Sequence, residues 1–355
     1  MRPPLRFTSV PSAPSSRTSS SSPALSRRGL LGASAAGLTT AGLAGAGAAQ
    51  AASPAARRRT RAARTEPGRS GMRLRWLGNN GWEIRIDRPG AKPATVLIDP
   101  WLTRFPTGTY TEEGADPQTP LVVHEHVIDR YRLRADQILV THGHYDHLPD
   151  VPHLASTTGA TVWGTESHAN MLLALAAPHR QGTLRDQLSV VAGGEHVQLD
   201  GYSIRVLRSL HSMTGPRSRV PFPGTRPGGP PPRPQTIADL VEGGTLAYAI
   251  TSDATGFTLV NFGGSNFSAA DLDGLAPDLA MIQPGGASVP GYVPRLLSCL
   301  DHPPYVVPTH WDDFDEPLDE PAVDWGGLEE LRRAVRDAAP ETRFVVVDHL
   351  ESFTP

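Results

Sequence analysis

From residue 72 onward the chain alternates short apolar runs with polar or glycine-rich breaks. Residues 72–77, 82–86 and 95–98 read as successive strands, and Gly78-Asn79-Asn80-Gly81 supplies the turn between the first two. Residues 103–120, rich in Thr, Pro and Gly, read as an irregular loop. The short apolar run 137–140 has the signature of a buried strand. A strand at 161–163 and a helix at 167–176, stopped by Pro178, follow it. The second half repeats this texture, with strands expected at 189–191, 196–199, 203–207, 246–250, 258–262, 279–282, 305–307 and 344–347. Helices are expected at 292–300 and 327–338, and Cys299 is expected to be buried on the first of them. Pattern alone predicts a mixed α/β chain. Residues 213–235, dominated by Pro, Gly and Arg, suit neither helix nor central strand and are expected to be either functional or disordered.

The residues before 72 read differently. Up to Ser26 they are mostly Ser, Pro and Arg, with too little apolar surface for a core. Ser26-Arg27-Arg28-Gly29-Leu30-Leu31 then leads into an uncharged Ala/Gly/Leu stretch, and Ala49-Gln50-Ala51 has the small-x-small form of a cleavage site. Together these resemble a twin-arginine signal peptide over 1–51, followed by a basic linker over 52–71 and a folded domain over 72–355. The expectation is an exported protein that engages the twin-arginine machinery. The lesser alternative keeps the stretch as a membrane anchor. A formal net charge of −3 gives no reason to expect a nucleic-acid partner, and a single cysteine excludes an internal disulfide.

Candidate chemistry is concentrated in Thr141-His142-Gly143-His144-Tyr145-Asp146-His147, immediately after the apolar run 137–140. A buried strand fixes the loop at its end, so that three imidazoles and a carboxylate converge. Such nitrogen and oxygen donors suit Zn2+ or a similar divalent metal.

Thr-His-x-His-x-Asp-His resembles the signature of the metallo-β-lactamase superfamily. Further features in the same order strengthen the resemblance: Leu97-Ile98-Asp99-Pro100, His211 after a strand, Gln283-Pro284-Gly285-Gly286, and Val307-Pro308-Thr309-His310. Within the superfamily the chain is most similar to the branch of ascorbate-6-phosphate lactonases and N-acylphosphatidylethanolamine-hydrolysing phospholipases D. The resemblance implies a four-layer αββα sandwich and a hydrolase that attacks an ester, lactone or phosphodiester through a metal-bound hydroxide. It implies that His142, His144 and His211 hold a first metal and that Asp146, His147 and His310 hold a second. It also implies that Asp146 is catalytic and that Asp99 supports the site from behind. The substrate is expected to be a small or lipid-like molecule.

One departure stands out. The superfamily places a metal-bridging Asp in a Gly-Asp-Thr-like turn, and Gly264 occupies that position within residues 260–266. Ser265 and Asn266 supply no charge, and Asp253 reads as a turn residue. Zn2+ is expected to sit firmly in the first set and weakly in the second. The alternative is a non-catalytic metal- or ligand-binding protein on a degenerate version of the fold. Arg217, Arg219, Arg226 and Arg233 either meet an anionic substrate or belong to a solvated loop. His153 is close enough to the motif in sequence to support it.

Overall fold

The structure is a computed structural model. It describes residues 68–111, 114–215, 217–285, 289–325 and 327–355. The signal peptide and most of the linker expected from the sequence lie outside these residues, as does Gly286.

Two sheets form the centre. In the first, β1 (Met72–Trp76), β2 (Trp82–Ile86) and β3 (Ala94–Ile98) make an antiparallel meander. β4 (Gln137–Leu139), β5 (Thr161–Gly164) and β6 (Leu188–Val190) extend it in parallel, and β15 (Ser352–Phe353) pairs with the free edge of β1. In the second, β7 (His196–Leu199) and β11 (Asn266–Phe267) both pair with the long strand β8 (Tyr202–Leu210). β9 (Leu246–Ser252) and β10 (Thr258–Phe262) continue antiparallel from β8. β12 (Leu279–Ile282), β13 (Tyr305–Pro308) and β14 (Arg343–Phe344) follow in parallel.

Burial follows from the pairing. β1 alternates buried and open positions because one face meets the opposite sheet. β3, β12 and β13 are buried throughout and apolar except for Thr95 of β3, as suits strands covered on both faces. Between the sheets Leu74, Trp76, Ile84 and Val96 pack with Ile204, Tyr248, Leu259, Met281 and Val307. The outer face of the first sheet is covered by α2 (Val151–Thr158), α3 (Glu166–Leu175) and α4 (Gln181–Gln187), through Leu154, Met171, Leu172 and Leu184. The second is covered by α5 (Tyr292–Cys299) and α6 (Leu328–Ala338), through Leu296, Leu297, Leu331 and Val335. A short helix, α1 (Glu125–Arg130), precedes β4. The layers run helix, sheet, sheet, helix.

Two expectations need correction. The strand expected over 344–347 pairs only through Phe344, because β14 is an edge strand and Val346 turns to solvent. Cys299 is half-buried rather than buried, at the last turn of α5 against the outer core. Among the described residues no helix is long and apolar enough to cross a membrane.

Candidate metal centre

The loop that carries the motif leaves the carboxyl end of β4, next to the ends of β3, β8 and β13. Asp99 closes β3 with a left-handed backbone (φ 39°) and is fully buried. Its carboxylate accepts from the Thr141 backbone N–H at 2.7 Å and from the Thr141 hydroxyl, which pins the start of the loop. Gly143 is required by close approach: a Cβ there would lie 2.3 Å from Met171 Cε and 2.4 Å from the Val241 carbonyl. The loop can therefore turn tightly enough to aim His142 and His144 at one point.

Two sets of donors result. Ligand atoms of His142, His144 and His211 lie within 4.8 Å of one another, and so do those of His142, Asp146 and His147. Nε2 of His211 faces Nε2 of His142 at 3.2 Å. Nδ1 of His211 is 2.8 Å from the Ser212 carbonyl, which fixes the tautomer that leaves Nε2 with a lone pair. Nε2 of His144 faces the Phe222 carbonyl at 3.4 Å, leaving Nδ1 for a ligand. Nε2 of His310 and Nε2 of His147 approach the same Asp146 Oδ2, at 3.1 and 3.2 Å. The His147 nitrogen is buried and makes no hydrogen bond there, although its Nδ1 is held by Asp99 Oδ2 at 2.7 Å. An orphaned imidazole nitrogen beside a carboxylate, with its other nitrogen fixed from behind, is the arrangement of a metal ligand. The donors present thus fit a divalent cation of the zinc type. The structure brings together all six residues expected from the sequence and puts Asp99 directly behind them.

Electrostatics are consistent with that fit for His142, His144 and His211. Burial, then the neighbouring imidazoles, hold His142 well below the ordinary histidine range. His144 is lowered to about 3 by burial and then His211, and His211 is lowered mainly by burial. All three are neutral at physiological pH and keep their lone pairs. His147 is the exception: burial lowers it, but Asp146 and Asp99 on either side outweigh burial and raise it to about 10. Burial likewise raises Asp146, but His147 and His310 outweigh it and hold the carboxyl well below its usual range.

The Gly264 turn is closed sterically. A Cβ at Gly264 would lie 2.8 Å from the Leu210 carbonyl and 3.0 Å from both His211 Cα and Ser212 N. The Ser265 backbone N–H also donates to Ser212 Oγ at 2.8 Å, drawing the turn against the end of β8. Asp253 sits in the turn between β9 and β10 and accepts from Gln198, apart from the cluster.

Other candidates fall away from the site. Arg226 donates to the Asp239 carbonyl and Arg233 to the Leu175 carbonyl at 2.6 Å, so both hold the loop rather than offer charge to a ligand. Arg217 and Arg219 are exposed. His153 pairs with Asp129 and Glu125 of α1. Loop 213–235 forms no helix or strand among its described residues, but Phe222 packs over His144 with ring centres 5.9 Å apart.

Sequence reasoning missed Asn79 and Asn80, which it read only as a turn. Asn80 donates to Asp99 Oδ2 at 2.7 Å and pairs with Asn261 of β10. Asn79 donates to Asp146. The available signal was a doubled Asn in a strand–strand turn, where one residue tolerates positive φ and both carry short amides.

A family model described as Beta-lactamase superfamily domain matches residues 94–226, from β3 through the motif loop and His211. Over those residues the chain is similar to the metallo-β-lactamase superfamily. Its architecture is the αββα sandwich of the metallo-β-lactamase fold. Among curated relatives, a UPF0173 metal-dependent hydrolase from Methanopyrus kandleri is 24% identical over 79% of this chain and 99% of its own length. One from Myxococcus xanthus is 26% identical over 75% of this chain and 80% of its own. Among solved structures, a possible metal-dependent hydrolase from Veillonella parvula has a TM-score of 0.48 at 14% identity, covering 80% of this chain and 99% of that one. A metallo hydrolase from Ignicoccus hospitalis has 0.47 at 19% identity, covering 80% and 98%.

Proposed function

We propose that the chain is an exported metal-dependent hydrolase of the metallo-β-lactamase superfamily that cleaves an ester, lactone or phosphodiester. The observation that carries the reading is the convergence of His142, His144 and His211, three neutral imidazoles, beside the Asp146, His147 and His310 set. The first three residues would hold one zinc-type ion and the second three another. A bound divalent ion of this kind lowers the pKa of water to about 7 and polarises the oxygen under attack.

The chain's own residues prepare the site. Asp99 keeps Nδ1 of His147 occupied, so the ring presents Nε2 to the cluster. Asp146 contributes the charge that a cation needs. The Tyr145 hydroxyl is hydrogen-bonded to the Thr109 hydroxyl at 2.7 Å, and its ring packs against Trp101, Phe222 and Phe314. Export through the twin-arginine machinery is part of the proposal and rests on Arg27, Arg28 and residues 49–51. An extracellular location favours a lipid-like or extracellular substrate over a phosphorylated sugar lactone.

A non-catalytic metal-binding role is the second reading, favoured by Gly264, which leaves the second set with Asp146 as its only carboxylate. A substrate panel separates the two. Hydrolysis of a chromogenic ester, a lactone or bis(p-nitrophenyl) phosphate should appear with zinc-loaded protein, vanish on chelation and return on adding zinc back. Stoichiometric zinc binding with no turnover of any of the three would favour the second reading.

A further inference from the structure

We propose that Asn79 is a positioning residue that holds Asp146 and His310 as one ligand pair; this rests on the metal-dependent reading of the site. Asn79 lies in the turn between β1 and β2, fully buried, with a left-handed backbone (φ 51°). Its carbonyl accepts from the His310 backbone N–H at 2.8 Å, from Trp76 Nε1 at 2.9 Å and from the Thr309 hydroxyl at 3.0 Å. Its own N–H donates to Asp312 Oδ1 at 2.9 Å. Its side-chain Nδ2 donates to Asp146 twice, to the backbone carbonyl at 2.5 Å and to Oδ2 at 3.2 Å. One residue thus grips the motif loop from the first sheet and the segment after β13 from the second.

The backbone contacts would survive with another residue that accepts positive φ. The side chain is different, because the hydrogen bonds of its amide all go to Asp146. Its Oδ1 is buried without a hydrogen-bond partner. An unsatisfied buried acceptor costs folding free energy, so stability of the turn alone does not account for an asparagine there. What the amide does is fix the rotation of the one carboxylate that His147 and His310 both approach. That matters more in this chain than in one with a bridging aspartate. With Gly264 closed to a side chain, Asp146 is the only carboxylate in the second set, and its orientation decides whether His310 and Asp146 can share an ion.

The test is zinc titration of the full chain, wild type against Asn79→Gly, a substitution that keeps the backbone free to adopt positive φ. Thermal unfolding checks that both are folded, and Asn79→Ala gives the same readout if Asn79→Gly does not fold. The expected result is an unchanged first equivalent and a second weakened roughly 10- to 100-fold. Cobalt(II) should show the same split, with only the absorption of the second equivalent altered. Equal affinity for the second equivalent in both proteins would overturn the proposal. So would both equivalents weakening together, or a wild type that takes only one ion at saturation. A wild type that binds none would instead remove the metal-centre reading itself.

Discussion

Gly143 and Gly264 bound the cluster from two directions, and neither has room for a side chain. At Gly264 the obstructing atoms are backbone, so they cannot rotate away. Gly264→Asp should therefore not restore a second carboxylate. We expect it to lower stability by roughly 1–3 kcal/mol, the cost of overpacking, with no gain in zinc content. Calorimetry and metal analysis of the two proteins under matched conditions check this, and a variant of wild-type stability holding extra zinc would refute it. Asp99 offers a gentler probe. Asp99→Asn preserves shape but weakens the acceptor that faces His147 and Thr141. Zinc affinity should fall about 10- to 100-fold while the fold persists, as competition with a chromogenic chelator would show.

At the scale of elements, legibility followed burial. The strands with alternating or continuous apolar runs were readable, and so was α3, expected at 167–176 and found at Glu166–Leu175. Its start is set by Thr165, whose hydroxyl accepts from the His168 N–H while His168 Nδ1 accepts from the Thr165 N–H. Thr165→Ala should cost about 1 kcal/mol, measurable by denaturant unfolding. The helices α1, α2 and α4 were not foreseen: they are short, and α2 carries Pro152 and two threonines, so its apolar face emerges only against the sheet. The ligands on separate strands were legible only through the resemblance, since a lone His211 or His310 carries no pattern. The buttress behind His310 was not legible at all. There Asp312 accepts from Arg104, from His349 at 2.9 Å and from Asn79. Burial raises the Asp312 carboxyl, but Arg104 and His349 outweigh it and bring it to about 2. That lies below the roughly 3.9 of an unfolded aspartate. The charged carboxylate therefore contributes stability that is complete above about pH 4 and is lost as pH falls through about 2. Asp312→Ala leaves Arg104 buried without its partner and should cost about 3–5 kcal/mol. It should also flatten that acid limb in a pH series of unfolding measurements.

At the scale of the whole molecule, the two sheets bring segments 231 residues apart, Asn79 and His310, into one hydrogen-bonded cluster. The first sheet supplies Asp99 and the motif loop, the second supplies His211 and His310, and the β1–β2 turn ties them. The strand ends that carry the donors set their positions. Whether this cluster is a metal centre on which hydrolysis depends is read by zinc content from elemental analysis, with ester and phosphodiester turnover, on wild type and His142→Ala. Ligand atoms of His142 lie within 4.8 Å of those of His144 and His211 and of those of Asp146 and His147. At least one zinc per wild-type chain is expected, with loss of both zinc and turnover in the variant while its fold is retained. A folded His142→Ala protein that keeps its zinc and its activity would contradict it.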